Sequence, residues 1–387
     1  MALPIVQIIH RDGIIDLGWG HPDPTLLAPA DVATAAAAAI ARHGSAALAY
    51  GWERGPGPLA EFLCEHIGRI DGRAPHPDEL LITSGNSAGL DLTLTLLTRP
   101  GDVVLVENPT YHLAVRIMRD HPLTLVPVPA DAGGLIPEAV AETAARLAAA
   151  GTPARLLYTV PTYHNPTGAT ASVERRRTLA VIAERHSFTI VEDDVYRELA
   201  YDAPPPPSIW SLAPPGTVVR LGSFAKTLAP GMRLGWLTAD AAIAQRIAGC
   251  GLLDSGGGVN HFTAMVVGEL CQSGAYAAQV ARLRAAYTAR RDALDAALRS
   301  ALPADFGIRK PNGGFFTWVD LPQRMLAAEL LPLAEAEGMA FLPGTKFFTD
   351  GGGERALRMA FSLYPPEQLA AAAQRLGAAA QQMEQRS

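Results

Sequence analysis

The chain has little cysteine, and it lacks the marks of an exported, membrane-spanning or nucleic-acid-binding protein. Its three cysteines, Cys64, Cys250 and Cys271, are widely spaced and form no metal motif, so we expect a reducing cytoplasm. No stretch approaches the roughly 18 consecutive apolar residues of a membrane span, and no positive segment precedes the short apolar start, so neither a span nor an export signal is expected. The net charge of −6 provides no basic surface for nucleic acid.

What the 387 residues do have is the composition of a compact globular protein, with 49% hydrophobic and 18% charged residues. A chain of this length buries a large core and is expected to divide into two domains. Strand-like and helix-like segments alternate from Leu80 onward, which predicts a mostly parallel sheet covered by helices on both faces. We expect one helix to have Asp31 as its N-cap, one to cover Ala239–Leu253 and a long one to cover Gln279–Leu302.

The most informative stretch begins at Ser223 and reads Ser-Phe-Ala-Lys-Thr-Leu-Ala-Pro-Gly-Met-Arg-Leu-Gly-Trp. Lys226 follows a short apolar strand, and Arg233 lies in a Pro-Gly turn seven residues later. The Ser223 hydroxyl and the Arg233 guanidinium could hold an anion beside the Lys226 amine. A phosphorylated carbonyl cofactor that binds lysine as a Schiff base requires this combination. A lone lysine is usually a solvated surface residue, and the rest of the stretch argues against that interpretation.

Polar motifs also follow several of the predicted strands. The turn that contains Gly85 joins a strand to a helix, where backbone N–H groups can face an anion. Asn165 lies in an Asn-Pro-Thr-Gly turn after another strand. Asp193 ends a buried strand, where α/β sheets bind ligands, and a buried aspartate needs a cationic partner. Arg358 lies inside an alternating strand, where an arginine normally has an anionic partner; the alternative is an intramolecular salt bridge.

With these motifs in this order, the chain resembles fold-type I pyridoxal-phosphate (PLP) enzymes of the class I/II aminotransferase group from about Gly20 to Arg358. The resemblance implies an α/β fold whose large domain contains a mostly parallel, seven-stranded sheet, with a smaller α+β domain. It implies an N-terminal arm and part of the small domain over residues 1–45, a large PLP-binding domain over 46–280 and a C-terminal small domain over 281–387. It also implies a homodimer with shared active sites.

The resemblance assigns the cofactor phosphate to a cradle around the first strand-to-helix turn. Gly85, Asn86 and Ser87 match that cradle only in part, because the family more often has Gly-Ser-Gln. Ser223 and Arg233 would complete it. Tyr50 would reach the phosphate of the neighbouring subunit; its alternative interpretation is a buried core tyrosine.

The resemblance assigns the cofactor ring to side chains at the strand ends. Tyr111 would stack on the pyridine face, with simple packing at the strand end as the alternative. Asp193 would hold the pyridine nitrogen protonated, while Asn165 and Tyr196 would contact the phenolic oxygen. Lys226 would form the Schiff base and then act as general base and acid at the substrate α-carbon.

The implied reaction moves an amino group from an L-amino acid to a 2-oxo acid. Arg358 would bind the substrate α-carboxylate, with Gly20 and Asn165 beside it, and no metal is expected. The motifs lean toward the subgroup that includes 2-aminoadipate and kynurenine-type aminotransferases and the aminotransferase-like domains of MocR regulators. The segment Leu3-Pro-Ile-Val-Gln7 lacks the arginine that binds a distal carboxylate in some relatives, which predicts apolar or neutral substrates.

Two alternatives stay open. The first is another PLP reaction on the same fold, such as that of a decarboxylase, lyase or oxidase, because the cofactor motifs do not decide which α bond is aligned for cleavage. The second is a non-catalytic, PLP-sensing effector domain of a MocR-type regulator. The acidic composition and the start of the chain at the aminotransferase portion argue against the second.

Overall fold

The computed structural model describes residues 5–7 and 11–386. Its β-strands are β1 (Ile15–Asp16), β2 (Leu80–Thr83), β3 (Val103–Asn108), β4 (Thr124–Asp131), β5 (Gly134–Leu135), β6 (Ala154–Thr159), β7 (Thr189–Asp193), β8 (Val218–Ser223), β9 (Gly235–Thr238), β10 (Gly307–Arg309), β11 (Phe316–Asp320), β12 (Met339–Ala340), β13 (Leu342–Pro343) and β14 (Ala356–Ala360). Its α-helices are α1 (Pro29–His43), α2 (Gly57–Asp71), α3 (Asn86–Leu97), α4 (His112–Arg119), α5 (Pro137–Ala149), α6 (Val173–His186), α7 (Ile209–Leu212), α8 (Ala241–Ala248), α9 (Gly251–Gly256), α10 (His261–Gln272), α11 (Ala275–Ala301), α12 (Ala327–Ala336) and α13 (Pro366–Arg386).

The large sheet has the strand order β2-β9-β8-β7-β6-β3-β4-β5 within the described residues. Its central pairs, from β8 through β4, are parallel, whereas β9 is antiparallel to both β8 and β2. The last strand, β5, has two residues and forms a hairpin with β4. Without β5, the sheet has the seven strands that the resemblance implies; a two-residue strand is too short to show an alternating pattern in a sequence.

Helices cover both faces of this sheet, because its central strands are apolar on both sides. On one face, α3, α4 and α8 pack against alternate residues such as Val104, Leu156 and Val191. On the other face, α2, α5, α6 and α10 pack against the intervening residues, including Leu105 and Ile190. The sheet therefore separates two cores, and side chains at its carboxyl-terminal edge can lie on either side.

The small domain is built around the antiparallel sheet β10-β11-β14-β13. The long helix α11 packs against α13, and their apolar residues share a core with α12 and with β11 and β14. The N-terminal segment reaches both domains: β1 pairs with β12 of the small domain, while α1 packs on α10 of the large one. The site residues of β14 are thereby carried next to those of the large sheet.

Two helix predictions were wrong in detail. The helix assigned to begin after Asp31 begins at Pro29, because proline fits the first helical turn, and Asp31 lies within that turn. The helix expected over Ala239–Leu253 is divided into α8 and α9 at Gly249, where glycine ends the first helix. The long helix expected over Gln279–Leu302 is present as α11 and begins four residues earlier, at Ala275.

Within the described residues, no helix is both long and apolar enough to span a membrane.

Candidate active site

Lys226 follows β8 and directs its amine toward aromatic rings from other parts of the fold. Its Nζ lies 6.0 Å from the centroid of the Tyr196 ring and 5.7 Å from that of the Phe315 ring. Burial lowers the pKa of Lys226 to about 8; the negative charge of Asp193 opposes this shift, and nearby arginines reinforce it. About a tenth of this amine is therefore unprotonated at pH 7, far more than for an ordinary lysine, as a nucleophile or general base requires.

Asp193 ends β7 with a carboxylate that is only half satisfied. Its Oδ2 accepts a hydrogen bond of 2.7 Å from the Tyr158 hydroxyl on β6, whereas its buried Oδ1 has no partner among the described residues. Burial raises the pKa of Asp193 to about 6, against the lowering effect of the Tyr158 hydrogen bond. A cationic donor at Oδ1 would satisfy the carboxylate and keep it charged.

The predicted phosphate cradle lies at the N-terminus of α3. Gly85, the N-cap residue, has φ +84°, and a Cβ on it would lie 2.8 Å from Nη2 of Arg233. Arg233 itself has a left-handed backbone, with φ 47°. The first N–H groups of α3, which begins with Asn86 and Ser87, have no partner within the helix and carry its positive dipole end. The structure thus brings a guanidinium against a helix N-terminus, which suits an anion.

Ser223 lies at the end of β8 and its Oγ accepts a hydrogen bond of 3.0 Å from the backbone N–H of Ala225. The hydroxyl hydrogen remains free to be donated to an anion beside Arg233. Asn86, at the start of α3, has a buried Oδ1 without a partner in the described part of the chain. Ser223 thus adds a neutral donor to the cradle, whereas the Asn86 side chain lies within hydrogen-bond reach of Asp193.

Tyr111, Asn165 and Tyr196 are brought toward the same centre. Tyr111 precedes α4, and burial raises its pKa to about 12, with Asp193 acting in the same direction. Tyr196 is 4% exposed and packs edge-on against Phe316 at 5.9 Å between ring centroids. Burial raises the pKa of Tyr196 well above its ordinary value, so its hydroxyl stays protonated and can donate a hydrogen bond.

Arg358 lies on β14 between two phenyl rings. Its Cζ is 4.2 Å from the centroid of Phe316 and 4.8 Å from that of Phe347. Nη1 donates to Oδ1 of Asn165 at 3.0 Å and Nη2 to the carbonyl of Gly18 at 2.6 Å, while the buried Nε has no partner among the described residues. Burial lowers the pKa of Arg358 to about 10. The intramolecular salt bridge considered from the sequence is absent from the described residues, so an anion is still required.

Gly20 allows this arrangement by its lack of a side chain. A Cβ on Gly20 would lie 2.6 Å from the Phe316 ring, so a larger residue would displace the ring that stacks on Arg358. Tyr50 behaves differently from its core alternative, since 87% of its surface is exposed. Tyr50 is not part of the core of this chain.

Sequence reasoning missed several members of the site. Tyr158 was not predicted, because a tyrosine in an apolar strand suggests simple packing. It could have been found from its position: it lies on β6, next to β7, and faces the same side of the sheet as Asp193. Phe316 and Phe347 follow ordinary turns, and nothing local to them predicts a contact with Arg358. Asp194, the residue after Asp193, faces away from it: its carboxylate pairs with arginines on the other side of the sheet.

These groups fit PLP. The unpartnered Oδ1 of Asp193 suits a protonated pyridine nitrogen, and the cradle of Gly85 and Arg233 suits a phosphate. The Lys226 amine suits a carbonyl carbon, and the free Nε of Arg358 suits a carboxylate. A metal has no comparable set: among the described residues, no cluster of three or more His, Cys, Asp or Glu side chains could hold one.

Comparisons with known proteins agree with this chemistry. The family Aminotransferase class I and II matches residues 12–376. The 2-aminoadipate transaminase of Thermus thermophilus is 33% identical over 383 residues, which are 97% of this chain and 92% of that protein. A multiple substrate aminotransferase from Thermococcus profundus has a similar structure, with a TM-score of 0.91 and 29% identity, over 97% of this chain and 93% of the other.

A third relative has been solved with a cofactor derivative. It is the α-aminoadipate aminotransferase LysN, also from Thermus thermophilus, complexed with N-(5'-phosphopyridoxyl)-L-leucine. The match has a TM-score of 0.85 and 31% identity and covers 97% of this chain and 94% of that one. The family match spans most of the chain and the site has the matching chemistry, so this chain belongs to the class I and II aminotransferases and is a fold-type I, PLP-dependent aminotransferase.

Proposed function

We propose that this enzyme transfers the amino group of an L-amino acid with an apolar or neutral side chain to a 2-oxo acid, with Lys226 as its acid–base residue. The observation that supports this most strongly is the convergence of an amine with a lowered pKa, a half-satisfied Asp193 and an arginine without a counter-anion, Arg358. Bound PLP supplies the electron sink that makes the substrate α-proton removable.

The side chains around the cofactor site have separate tasks in the proposal. Lys226 Nζ holds the cofactor and afterwards moves the proton at the substrate α-carbon, for which a pKa of about 8 is well matched to neutral pH. Asp193 keeps the cofactor's ring nitrogen protonated. Tyr196 and Asn165 would donate hydrogen bonds to its phenolic oxygen, and Tyr111 would lie against its ring and exclude water from one face.

Arg358 positions the substrate. Its guanidinium is the proposed ligand of the α-carboxylate, and the hydrogen bonds to Asn165 and Gly18 hold the fork in one orientation. Fixing the carboxylate fixes the direction of the α C–H bond relative to Lys226, which is the geometric requirement for proton transfer. Gly20 leaves room for the Phe316 ring that packs on this guanidinium.

The preference for apolar or neutral side chains is supported by the aromatic surroundings of Arg358. Phe316 and Phe347 pack on its guanidinium, and Trp318 packs edge-on against Phe347 at 6.1 Å. The solved LysN relative carries a leucine adduct and is named for α-aminoadipate, so it supports the binding of an apolar side chain but not the exclusion of an acidic one. The sequence argument relied on Leu3–Gln7, of which residues 3 and 4 lie outside the described residues, so this preference remains a proposal.

A homodimer that shares its active sites is also proposed. The exposed large apolar residues of the described chain concentrate near the segment that carries Tyr50: Leu48 is 67% exposed, Trp52 58% and Leu252 66%. The loop at Gly51 lies against His261, so the two segments form one surface. A second copy of the chain would cover this surface and bring Tyr50 to the neighbouring phosphate.

The domain division at residues 45 and 280 and a cytoplasmic location complete the proposal. The division is supported by the pairing of β1 with β12, although α1 packs on the large domain. The location is supported by Cys64, Cys250 and Cys271 being free thiols in the structure.

The test is an absorbance spectrum of the purified protein with PLP, before and after the addition of leucine, methionine, phenylalanine or 2-aminoadipate. We expect the apolar donors to change the spectrum of the bound cofactor and a 2-oxo acid to restore it. Comparable rates with 2-aminoadipate and leucine would overturn the side-chain preference. A change that ends in product and is not reversed by a 2-oxo acid would contradict transamination.

Borohydride reduction tests the lysine. The chain has three lysines, Lys226, Lys310 and Lys346, so the reduced cofactor can be assigned to one peptide. We expect Lys226→Arg to abolish labelling and to lower activity by about 10⁴-fold, at the upper limit of a single acid–base group. The matched variants Lys310→Arg and Lys346→Arg should keep both labelling and activity, and labelling that persists in Lys226→Arg would exclude the assignment.

A further inference from the structure

Four charged side chains form a closed ring behind the active site. We call Asp71, Asp194, Arg197 and Arg220 the arginine–aspartate ring; none of them is more than 6% exposed. They come from three elements: the end of α2, the segment after β7, and β8. The ring itself carries two positive and two negative charges, so its own net charge is zero. The buried pair of Arg176 and Glu192, 3.6 Å apart on the same side of the sheet, adjoins it and adds one charge of each sign.

Each acid of the ring contacts both arginines. Asp194 Oδ2 lies 2.5 Å from Nε of Arg197 and 2.8 Å from Nη2 of Arg220. Asp71 lies 3.1 Å from Nη1 of Arg197 and 2.5 Å from Nη1 of Arg220. Asp71 also accepts hydrogen bonds of 3.0 Å from the backbone N–H and the hydroxyl of Ser208. The paired arginines hold the pKa of Asp194 below its usual value although burial acts to raise it.

The ring lies on the other face of the large sheet from Asp193. Glu192 is opposite Arg220 in the pairing of β7 with β8, whereas Asp193 is opposite Leu221, and successive residues of a strand face opposite sides. Between residues 193 and 197 the chain alternates between the two sides of this layer. Asp193 and Tyr196 face the Lys226 side, while Asp194 and Arg197 belong to the ring.

A net charge on the ring would shift the pKa of groups in the active site, because the sheet between the two is buried and screens charges only weakly. The titratable and polar groups on the same side as Asp193 are Tyr158 of β6, Asn86 of α3, Lys226 after β8, Tyr111 before α4 and Tyr196, whereas Asp194 acts on it from the other side of the sheet. Burial is the main reason for the raised pKa of Asp193, and the charge of Asp194 adds to it. At a separation of about 8–10 Å and an effective dielectric constant of about 20, one unit charge shifts a titration by about one pH unit.

We propose that the arginine–aspartate ring sets the proton affinity of the PLP site across the sheet by keeping zero net charge next to Asp193. This inference rests on the proposed function, because it concerns the cofactor that Lys226 holds. The ring members touch neither substrate nor cofactor and are positioning residues. Loss of an arginine makes the ring negative and favours protonation in the site, and loss of an aspartate makes it positive and opposes protonation.

The test compares charge changes of opposite sign in the PLP-loaded enzyme. The readout is the pH midpoint of the absorbance change of the bound cofactor, measured without substrate. We expect Arg220→Met to raise this midpoint by about one pH unit and Asp194→Asn to lower it by a similar amount. The double variant, which is neutral again, should return to within about 0.3 units of the wild type.

Two controls separate charge from structure. Arg220→Lys keeps the positive charge but loses the several N–H donors of the guanidinium, and it should leave the midpoint near the wild-type value. Arg291→Met removes another buried arginine, which lies on α11 and pairs with Asp202, and should destabilise the protein without moving the midpoint.

Shifts of the same sign in Arg220→Met and Asp194→Asn, no shift in either, or a double variant that is not restored would overturn the inference. If Arg220→Met does not fold, Asp194→Asn and the double variant still decide the outcome, because only an electrostatic effect is reversed by the second substitution. A wild-type protein that binds no PLP would instead overturn the proposed function, and this is seen before any variant is compared.

Discussion

Two buried arginines, Arg220 and Arg358, have opposite surroundings. Arg220 on β8 is fully buried and is bound by two carboxylates. Arg358 on β14 is 3% exposed and has two phenyl rings, an amide oxygen and a backbone carbonyl around it, but no carboxylate among the described residues. Burying a guanidinium without a counter-charge is unfavourable, so the two sites cannot serve the same purpose.

The difference shows which arginine stabilises the fold and which is available to the reaction. Arg220 is neutralised by residues that the chain itself supplies, and removing it leaves two buried aspartates that share one arginine, Arg197. Arg358 is held in place by neutral acceptors and has no anionic partner among the described residues. An incoming substrate carboxylate supplies that partner. A buried arginine without its anion is thus a better indicator of a substrate site than burial or charge alone.

The largest expected effect is on folding stability at Arg220. Replacing it by methionine leaves Asp71 and Asp194 competing for one arginine, and we expect the free energy of unfolding to fall by about 3–5 kcal/mol. Urea unfolding of the apo-proteins measures this. Arg358→Met removes a charge that has no partner, together with two hydrogen bonds to neutral acceptors, and should change stability by about 1 kcal/mol or less. Equal losses in the two variants would remove the distinction.

The next effect is on catalysis at Arg358. Arg358→Met should lower kcat/KM for amino acids by about 10²–10³-fold, since it removes the proposed carboxylate ligand while Lys226 remains. Steady-state rates measure the loss. The matched control is an amine without a carboxylate, whose low rate should be the same in the variant and the wild type. A proportional loss with the amine would show that Arg358 acts through the cofactor site instead.

A smaller effect concerns pH. The pKa of Lys226 is about 8 in the folded protein, below the ordinary 10.5, so the unprotonated fraction rises as the pH increases through about 8. The rate of PLP attachment to the apo-protein should therefore increase with pH and level off above about 8. Because the unneutralised Arg358 contributes to the lowered pKa, Arg358→Met should move this midpoint upward. A wild-type midpoint at 10 or above would contradict the assignment.

The smallest effect is expected at the rings that pack on Arg358. Phe347→Leu removes one of the two stacked faces, which should raise KM about fivefold with little change in kcat, because a desolvated cation–π contact contributes roughly 1 kcal/mol. Trp318→Leu alters a ring that contacts Phe347 but is not stacked on Arg358, and it should change KM less. A larger effect at Trp318 would assign the side-chain contact to that residue.

The sequence was informative wherever several chemical groups stand in one segment. Lys226, Ser223 and Arg233 lie within one short stretch, and Asp193 lies directly before Asp194 at a strand end, so their types and spacing predicted both an anion site and a carboxylate at the sheet edge. Helix bounds were less predictable, as at Asp31, because proline and aspartate are both acceptable in the first turn of a helix.

By itself, the sequence determined the family, the alternation of strands and helices, and the residue types that PLP chemistry needs, since these depend on local pattern and spacing. Only the tertiary structure decided which charges remain without partners. Arg358 and Asn165 are 193 positions apart and meet at 3.0 Å, and Asp71 and Arg220 close a ring across 149 positions. Whether a buried charge is satisfied depends on such distant contacts, because the free energy of a charge in a weakly polar interior is set by the groups packed around it and not by its neighbours along the chain.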